Sequence, residues 1–415
     1  MAPAGAERRT RRAGAPLSGA GCAGVRRCGR RRRPGAFRGE VARLRFSIML
    51  ELEYCRRRAR RLLERVCARQ LDAAVLGLGH HVYWLTGHRP FWLHECAAVL
   101  FCEGHTWLTT ANRPAERAAA DEAVSFEASR MGTQRQEQPA VAAAQVLEAL
   151  RARKARRIGC DASAVGSQLL MCGWEGHCQS IDAELWQLRR RKDPDELALM
   201  ERAVACTEAM YATAREMIAP GVPELEVYAA LHAAAVRAAG EPLTALLGND
   251  FACGAGGGPP RAGRRAAAGE LYIIDLGPAV RGYFADNCRT FCVGGRPTDA
   301  QAKAWEAVAG CHEIVQRMAR PGARCGEIFA AVDEHLKRTR GTGMPHHLGH
   351  GVGLQPHEYP HLNPAWDDVL MEGEVFTAEP GQYGADLAAG IRIENQYLVT
   401  AEGVRNMCAF PMGLV

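Results

Sequence analysis

An internal repeat in the second half of this 415-residue chain limits most strongly what it can fold into. The segment MIAPGVPELEVYAALH from Met217 aligns without gaps with MARPGARCGEIFAAVD from Met318, at an offset of 101 residues. The two segments share a Pro-Gly pair, a Glu and an Ala pair. Each copy is predicted to be a helix, a Pro-Gly break and a second helix, followed by a pair of strands. We interpret the match as a duplicated α/β unit.

The region before the repeat alternates strand-like runs with helical segments. From Leu71 onward the strand-like runs are LDAAVLGL, AAVLFC, HTWLTT and RRIGCD, and PAVAAAQVLEALRARKA is helical in pattern. This order predicts an α/β domain. A long helix should then begin after Asp193, with Pro194 in its first turn and Glu196 completing a capping box. We therefore predict domains over residues 49–188 and 189–415.

Residues 1–48 form a basic arm. Its 13 Arg against two Glu give a charge of +11, which leaves −5 for residues 49–415 of a chain whose total is +6. Such an arm could bind nucleic acid, but it has neither interleaved aromatic residues nor apolar periodicity. We interpret it as a disordered tail, or as sequence upstream of a true start at Met49, and expect no nucleic-acid partner. It also lacks the apolar core of a signal peptide.

The cysteine pattern and the hydropathy predict the compartment. The 16 Cys are scattered without a C-x-x-C pair, which is typical of reduced thiols in a cytoplasmic protein rather than of a disulfide framework or a zinc ribbon. No apolar run approaches the length of a membrane span, so we expect no membrane partner.

Two acids lie on a predicted hairpin in LYIIDLGPAVRGYFADNCRTF, residues 271–291. Asp275 ends a run that is typical of a buried strand, and Asp286 follows eleven residues later. A turn near Val280 and Arg281 would place the two acids opposite each other, with Cβ atoms about 5 Å apart. Two facing carboxylates repel each other unless a cation lies between them. Burying a charge without a partner is also costly.

The second half of the repeat supplies a matching pair of acids. Glu379 ends VFTAE, and Glu394 lies in IRIEN, where strand alternation would place Arg392 on the same face. Between the two pairs, the segment GMPHHLGHGVGLQPHEYP carries four histidines: His346, His347, His350 and His357. A mixed oxygen and nitrogen site suits Mn, Co, Fe or Zn rather than calcium.

Each of these residues alone has an ordinary explanation. An Asp at a strand end usually caps a turn, a Glu before Pro-Gly is usually solvated, and a single His is more often a surface or core residue than a ligand. Two acid pairs in corresponding halves of a repeat, with a histidine cluster between them, are not well explained as separate accidents. We therefore predict a metal site.

With these residues located, the chain from about residue 190 to 410 resembles the pita-bread metallopeptidase family of aminopeptidase P, prolidase, creatinase and methionine aminopeptidase. The preceding α/β domain, with VYWLTGH, resembles the creatinase-like N-terminal domain of the two-domain branch. The resemblance implies a creatinase-like α/β domain followed by a pita-bread domain with a pseudo-twofold α/β repeat, and we expect a homodimer. It also implies five metal ligands: Asp275, Asp286, His350, Glu379 and Glu394.

The resemblance further implies two divalent metal ions (Mn, Co, Fe or Zn) and places His346, His357 and Arg392 around them and the substrate. On this hypothesis Glu379 is the general base, and His357 and His346 stabilise the oxyanion or orient the substrate. Arg392 would anchor Glu394 by a charge-assisted hydrogen bond.

Two positions depart from the family pattern. Cys288 stands where the family often has Thr. The loop FACGAGGGPPRAGRRAAAGE lacks the histidine with which relatives contact substrate, which would weaken proline-peptide binding by about 1–3 kcal/mol if the partner group is left buried and unpaired. Arg261, Arg264 or Arg265 could instead bind an anionic group of the substrate.

The predicted function is that of a metal-dependent hydrolase, a Xaa-Pro-type aminopeptidase or dipeptidase acting on a peptide. One alternative is a family member that acts on a non-peptide small molecule, as an amide hydrolase or lyase, and the missing loop histidine favours it. Another is a non-catalytic binding module, against which the complete ligand set argues.

Overall fold

The computed structural model describes residues 49–247 and 250–414; the basic arm over residues 1–48 lies outside the described residues. Residues 49–190 form a mixed six-stranded sheet with helices packed against it. The helices are α1 (Leu52–Ala68), α2 (Gly79–Thr86), α3 (Gln138–Ala152), α4 (Ala164–Met171) and α5 (Asp182–Arg190). The strands are β1 (Ala73–Leu76), β2 (Cys96–Phe101), β3 (Thr106–Ala111), β4 (Glu122–Phe126), β5 (Ser129–Arg130), β6 (Thr133–Gln134), β7 (Arg157–Cys160) and β8 (His177–Ser180).

The sheet has the order β4-β3-β2-β1-β7-β8, and β5 and β6 form a separate hairpin. Alternation along β1 directs side chains into two cores. Ala74 and Leu76 belong to the cluster that contains residues of α1, whereas Ala73 and Val75 pack with residues of α3. All four predicted strands and the predicted helix of this region are confirmed, and the sheet is covered on both faces, as expected for an α/β unit.

Residues 191–414 contain four long helices and three smaller sheets. The helices are α6 (Pro194–Met217), α7 (Glu224–Ala239), α8 (Asp299–Met318) and α9 (Cys325–Arg340). The strands of the first half are β9 (Ala245–Leu247), β10 (Leu271–Val280), β11 (Tyr283–Phe284) and β12 (Asn287–Cys292). Those of the second half are β13 (Gly349–Gly351), β14 (Glu358–Leu362), β15 (Val375–Ala378), β16 (Gly381–Gly384), β17 (Ala389–Arg392), β18 (Asn395–Val399) and β19 (Val404–Asn406), and a 3₁₀ turn, Ala385–Leu387, lies between β16 and β17.

In the first half, β10 pairs with β9, β11 and β12. In the second half the sheet order is β14-β13-β15-β18-β19, and β16 pairs with β17 alone. The first half therefore combines two long helices with one antiparallel sheet, and the second half combines two long helices with a five-stranded sheet and the β16–β17 pair. None of the helices within residues 49–247 and 250–414 combines the length and the apolar character that crossing a bilayer requires.

The predicted repeat is confirmed in the backbone. Helices α7 and α9 each contain 16 residues, and their first residues are 101 positions apart. Both end at a glycine in the left-handed region, Gly240 with φ 67° and Gly341 with φ 78°. The Pro-Gly breaks also match, since Gly221 has φ 89° and Gly322 has φ 87°. Glycine adopts this conformation without the steric cost that a Cβ would bring, so the shared sequence fixes the same chain reversal twice.

A buried ion-pair cluster connects the first helix to the start of α6. The Arg58 guanidinium, fully buried, donates to both carboxylate oxygens of Asp195, at 2.9 and 3.1 Å, and to the carbonyl of Trp84 at 2.7 Å. At the predicted helix start, the Glu196 carboxylate accepts from the N–H of Asp193 at 2.9 Å. The same Glu196 accepts from the Tyr283 hydroxyl at 2.9 Å, so this cluster also reaches the tip of the β10–β12 hairpin.

Candidate metal centre

Strand β10 carries Asp275 into the interior, but the hairpin register differs from the predicted one. Asp275 pairs with Cys288, not with Asp286. The tip pairs are Ala279 with Phe284 and Val280 with Tyr283, so the turn is centred one residue later than predicted, and this moves every cross-strand partner by two positions. A shift of two keeps Asp286 on the same face as Asp275. The two acids therefore still approach each other, diagonally rather than directly.

The second acid pair lies at the end of the β15–β18 ladder. The ladder ends at the pair of Ala378 with Asn395, so Glu379 and Glu394 follow at the next position. An isolated bridge joins Glu394 to Cys288: the N–H of Glu394 donates to the Cys288 carbonyl at 2.9 Å. This bridge connects the two halves of the repeat and brings both acid pairs to one place.

His350, on β13, completes the cluster. Its Nδ1 lies 3.0 Å from the Gly351 carbonyl; a carbonyl only accepts, so Nδ1 carries the proton and Nε2 offers a lone pair. This Nε2 lies 3.4 Å from a Glu379 oxygen and 3.8 Å from an Asp286 oxygen. Ligand atoms of Asp286, His350 and Glu394 all lie within 4.8 Å of one another. A backbone bond that fixes the tautomer is the usual support of a metal-ligating imidazole.

The four acids, Asp275, Asp286, Glu379 and Glu394, have too few cationic side chains around them to offset their negative charge. Burial and neighbouring carboxylates raise the pKa of Asp286 and of Glu394 well above their usual range. Burial raises the pKa of Asp275 too, although the Arg392 guanidinium opposes this. The Glu394 Oε2 is buried without a hydrogen-bond partner among the described residues. A set of converging, undercompensated oxygens beside an imidazole fits a divalent transition metal.

The raised pKa of a buried acid predicts that the metal-free protein loses stability as the pH rises from 6.5 to 8. Burial and Asp275 raise the pKa of Glu379 from 4.5 to about 8. Between those values the folded chain holds a proton that the unfolded chain has released, so stabilisation present below pH 4.5 is lost as the pH rises through 8. Burial lowers the pKa of His347 to about 4 and of His350 to about 3, from 6.5, and these histidines act in the opposite sense only below pH 6.5.

The measurement is urea unfolding in EDTA at several pH values between 6.5 and 8, with Glu379→Gln as the comparison. The decline in free energy of unfolding should be steeper in the wild type, by at most about 1.4 kcal/mol per pH unit for one proton. Parallel declines in the two proteins would contradict the assignment of a raised pKa to Glu379.

Arg392 does not contact Glu394, contrary to the prediction. Its guanidinium donates to Asp275 at 2.6 Å, to Asp250 at short range, and to the Tyr383 hydroxyl at 3.1 Å. The prediction assumed one continuous strand, but β17 pairs with β16 and β18 pairs with β15. The alternation nevertheless persists, since Ile391 and Ile393 both lie in the apolar core. The Arg392 guanidinium instead pairs with Asp275 and Asp250, and the Glu394 Oε2 is left without a hydrogen-bond partner among the described residues.

The remaining predicted histidines lie beside the cluster. The His357 ring stacks on that of His350, with centroids 3.6 Å apart and planes 16° apart. His346 Nδ1 donates to the His347 carbonyl at 2.8 Å, which leaves its Nε2 to accept from the Tyr383 hydroxyl at 3.0 Å. His347 also approaches, with its Nε2 3.4 Å from a Glu379 oxygen. All the predicted site residues thus lie in one contiguous group.

Sequence reasoning missed two members of this group, Asp250 and Tyr383. Asp250 directly precedes the loop that lacks the expected histidine, and its carboxylate accepts from the N–H of Gly258 in that loop. Tyr383 lies on β16, and burial raises its pKa to about 12, so it is a neutral hydroxyl between His346 and Arg392. Neither residue stands in a local pattern that could have indicated its role.

The three loop arginines have other partners. Arg261 donates to the buried carboxylate of Glu224 at 2.6 Å, Arg264 pairs with Glu270, and Arg265 donates to the Gly221 carbonyl at 2.8 Å. The suggestion that they bind an anionic substrate group therefore loses its support. The charged side chain that reaches the centre from this part of the chain is that of Asp250, directly before the loop.

A cavity of about 320 Å³ opens beside His357, between the two regions of the chain. Its walls include His80, His81, Trp186, Arg189 and Tyr359. A volume of this order suits a small ligand.

The comparisons with known proteins agree with this geometry. Residues 198–401 match metallopeptidase family M24, and residues 58–189 match the creatinase/prolidase N-terminal domain. The Xaa-Pro dipeptidase of Pyrococcus furiosus is 32% identical over 234 residues, which cover 55% of this chain and 66% of that protein. The aligned stretch thus spans about two thirds of that relative.

Solved structures show the same fold. The Xaa-Pro dipeptidase from Bacillus anthracis superposes with a TM-score of 0.74 at 20% identity, covering 87% of this chain and 99% of that one. The prolidase from Pyrococcus horikoshii gives 0.71 at 22% identity, covering 86% and 100%. Together the two matched domains account for most of the described residues. The chain belongs to metallopeptidase family M24, in the branch that carries a creatinase/prolidase N-terminal domain.

Proposed function

We propose that this chain is a metal-dependent peptidase that hydrolyses the bond before proline in Xaa-Pro peptides. The observation that carries the proposal is the convergence of two acid pairs and His350 at the junction of the two repeat halves. The names of similar proteins, Xaa-Pro dipeptidase and prolidase, support the choice of substrate.

We propose that five residues hold two divalent cations: Asp275, Asp286, His350, Glu379 and Glu394. Their raised carboxylate pKa values and the unpartnered Glu394 oxygen support this assignment. When bound, such a pair of cations lowers the pKa of a water and polarises a carbonyl. Mn, Co, Fe and Zn all suit the donor set.

Glu379 is the proposed general base. Glu379 is buried, and one of its oxygens lies 3.4 Å from His350 Nε2. A carboxylate in this place can accept a proton from water and return it to the leaving nitrogen. His357, stacked on His350 at the edge of the cavity, can donate an N–H to the developing oxyanion. His346, held by Tyr383, orients the substrate on the other side.

Arg392 has a positioning role in this proposal. It connects Asp275, Asp250 and Tyr383, and its charge is therefore already matched by two acids. The missing loop histidine still predicts weakened binding of proline peptides, by roughly ten- to hundredfold. A homodimer and a cytoplasmic location remain predictions from the sequence.

The test is hydrolysis by the purified chain loaded with Mn²⁺ or Co²⁺. Xaa-Pro dipeptides and Xaa-Pro tripeptides are compared with the same peptides carrying Ala in place of Pro, and bound metal is counted by mass spectrometry. We expect two ions per chain and cleavage only of the proline series.

Two results would redirect the assignment. Full metal loading with no cleavage of either peptide series would favour the non-peptide alternative, which the loop without a histidine still supports. Failure to bind metal would favour a binding module.

A further inference from the structure

A chain of buried polar contacts runs from the N-terminal sheet to the segment that carries His357. At its first end, the Asp161 carboxylate accepts from the N–H of Gly77 at 3.0 Å and of Leu78 at 2.9 Å, and it meets His81 Nδ1 at 2.9 Å. The side chains of Asp161 and His81 are 0% and 1% exposed. This end of the contact chain is therefore fixed by backbone groups of the loop that follows β1.

The next contact sets the direction of a guanidinium. His81 Nε2 lies 3.1 Å from Nη1 of Arg189, a residue of α5. A guanidinium can only donate, so His81 is the neutral tautomer with its proton on Nδ1, which Asp161 accepts. Asp161 thus determines how His81 presents its lone pair, and His81 in turn holds one side of Arg189.

The other side of Arg189 holds Glu358, the residue directly after His357. Arg189 Nη2 donates to the Glu358 carboxylate, whose other oxygen lies 3.6 Å from Lys192 Nζ. Glu358 also accepts from the N–H of Gln355 at 2.8 Å, which closes the turn over residues 355–358. These ionic side chains are at most 10% exposed. The turn that carries His357 is therefore held in place by two cationic side chains, those of Arg189 and Lys192.

We infer that Arg189 is a positioning residue that fixes His357, through Glu358, in its orientation over His350. The inference rests on the proposed function, because it assigns the contact chain to the rate of the chemical step. It also gives the N-terminal region a part in catalysis although it contributes none of the proposed metal ligands. A displacement of about 1 Å at a catalytic group can cost about a hundredfold in rate.

The test compares Arg189→Met with Arg190→Met. Glu358 keeps Lys192 as a counter-ion in the first variant, so the carboxylate is not left without a cation. Arg190 is the matched control, since it is the next residue of α5, is similarly buried, and pairs with Glu374 and Asp368 instead of Glu358. Arg189→Lys is the conservative variant, which keeps the charge but cannot contact His81 and Glu358 with one planar fork.

For Arg189→Met we expect kcat to fall about a hundredfold, with KM and bound metal unchanged, which is the pattern of a lost transition-state interaction. Arg189→Lys should recover part of the loss, and Arg190→Met should retain kcat. Equal losses in Arg189→Met and Arg190→Met, or a loss of metal in Arg189→Met, would overturn the inference.

A second measurement works even if the chain hydrolyses no peptide. The rate at which diethyl pyrocarbonate modifies His357 is followed by peptide mass spectrometry in the metal-loaded wild type and both Met variants. His357 should react faster in Arg189→Met than in the other two proteins, because its turn is released. Identical rates would reject the positioning role, whereas a wild type without peptidase activity would reject only the proposed function.

Discussion

Replacing Asp286 with Ala is expected to lower the metal content of the chain and to reduce turnover by at least about a thousandfold, since several kcal/mol of transition-state stabilisation depends on the metal. Asp286 belongs to the first acid pair, and one of its oxygens lies 3.8 Å from His350 Nε2. Its own pKa is raised by burial and by Asp275 and Glu379, which shows that without a cation these acids repel. The same substitution should therefore stabilise the metal-free protein.

Metal counting and thermal unfolding with and without EDTA check both halves of this expectation. Asp250→Asn is the comparison, because Asp250 is also an acid beside the centre but is paired with Arg392 and is not a proposed ligand. The Asp250→Asn variant should therefore bind as much metal as the wild type. Full metal occupancy in Asp286→Ala would show that the ligand assignment is wrong.

Replacing Arg58 with Met is expected to cost about 3–5 kcal/mol of stability, the usual loss when one partner of a buried ion pair is removed. Asp195 and Glu196 would remain buried, at 2% and 1% exposure, without the guanidinium that pairs with them. Urea unfolding gives the free energy. The neighbouring Arg57 pairs with Glu53 on the surface, and Arg57→Met should unfold like the wild type, because exposed pairs contribute little. A similarly small change for Arg58→Met would contradict this account.

The sequence alone was enough for the repeat, and the resemblance to a known family named the residues that are proposed for the centre. The Pro-Gly breaks and the helices on either side depend on local chemistry, and the match at 101 residues survives folding unchanged in α7 and α9. Of the five proposed ligands, Asp275 lies within β10 and His350 within β13, and the other three lie directly beside the end of a strand. Local pattern and tertiary structure agree in α7 and α9, which is why the repeat could be predicted to individual residues.

The errors arose where a contact depends on the exact chain path. A turn centred one residue later changed the partner of Asp275 from Asp286 to Cys288. The Arg392 guanidinium pairs with Asp275 and Asp250 instead of Glu394. The contacts of Asp250 with Arg392 and of His81 with Arg189 join residues more than a hundred positions apart, and no periodicity in the sequence encodes such pairs.

The bridge between Cys288 and Glu394 has a consequence for how such a centre can arise. Each half of the repeat contributes two acids, so a chain of half the length could assemble all four only by association of two copies about a twofold axis, and its activity would then fall on dilution. Fusion of the halves in one chain makes the encounter intramolecular. The centre then persists at any protein concentration, and the two halves are free to diverge, as the single histidine ligand proposed for the second half already shows.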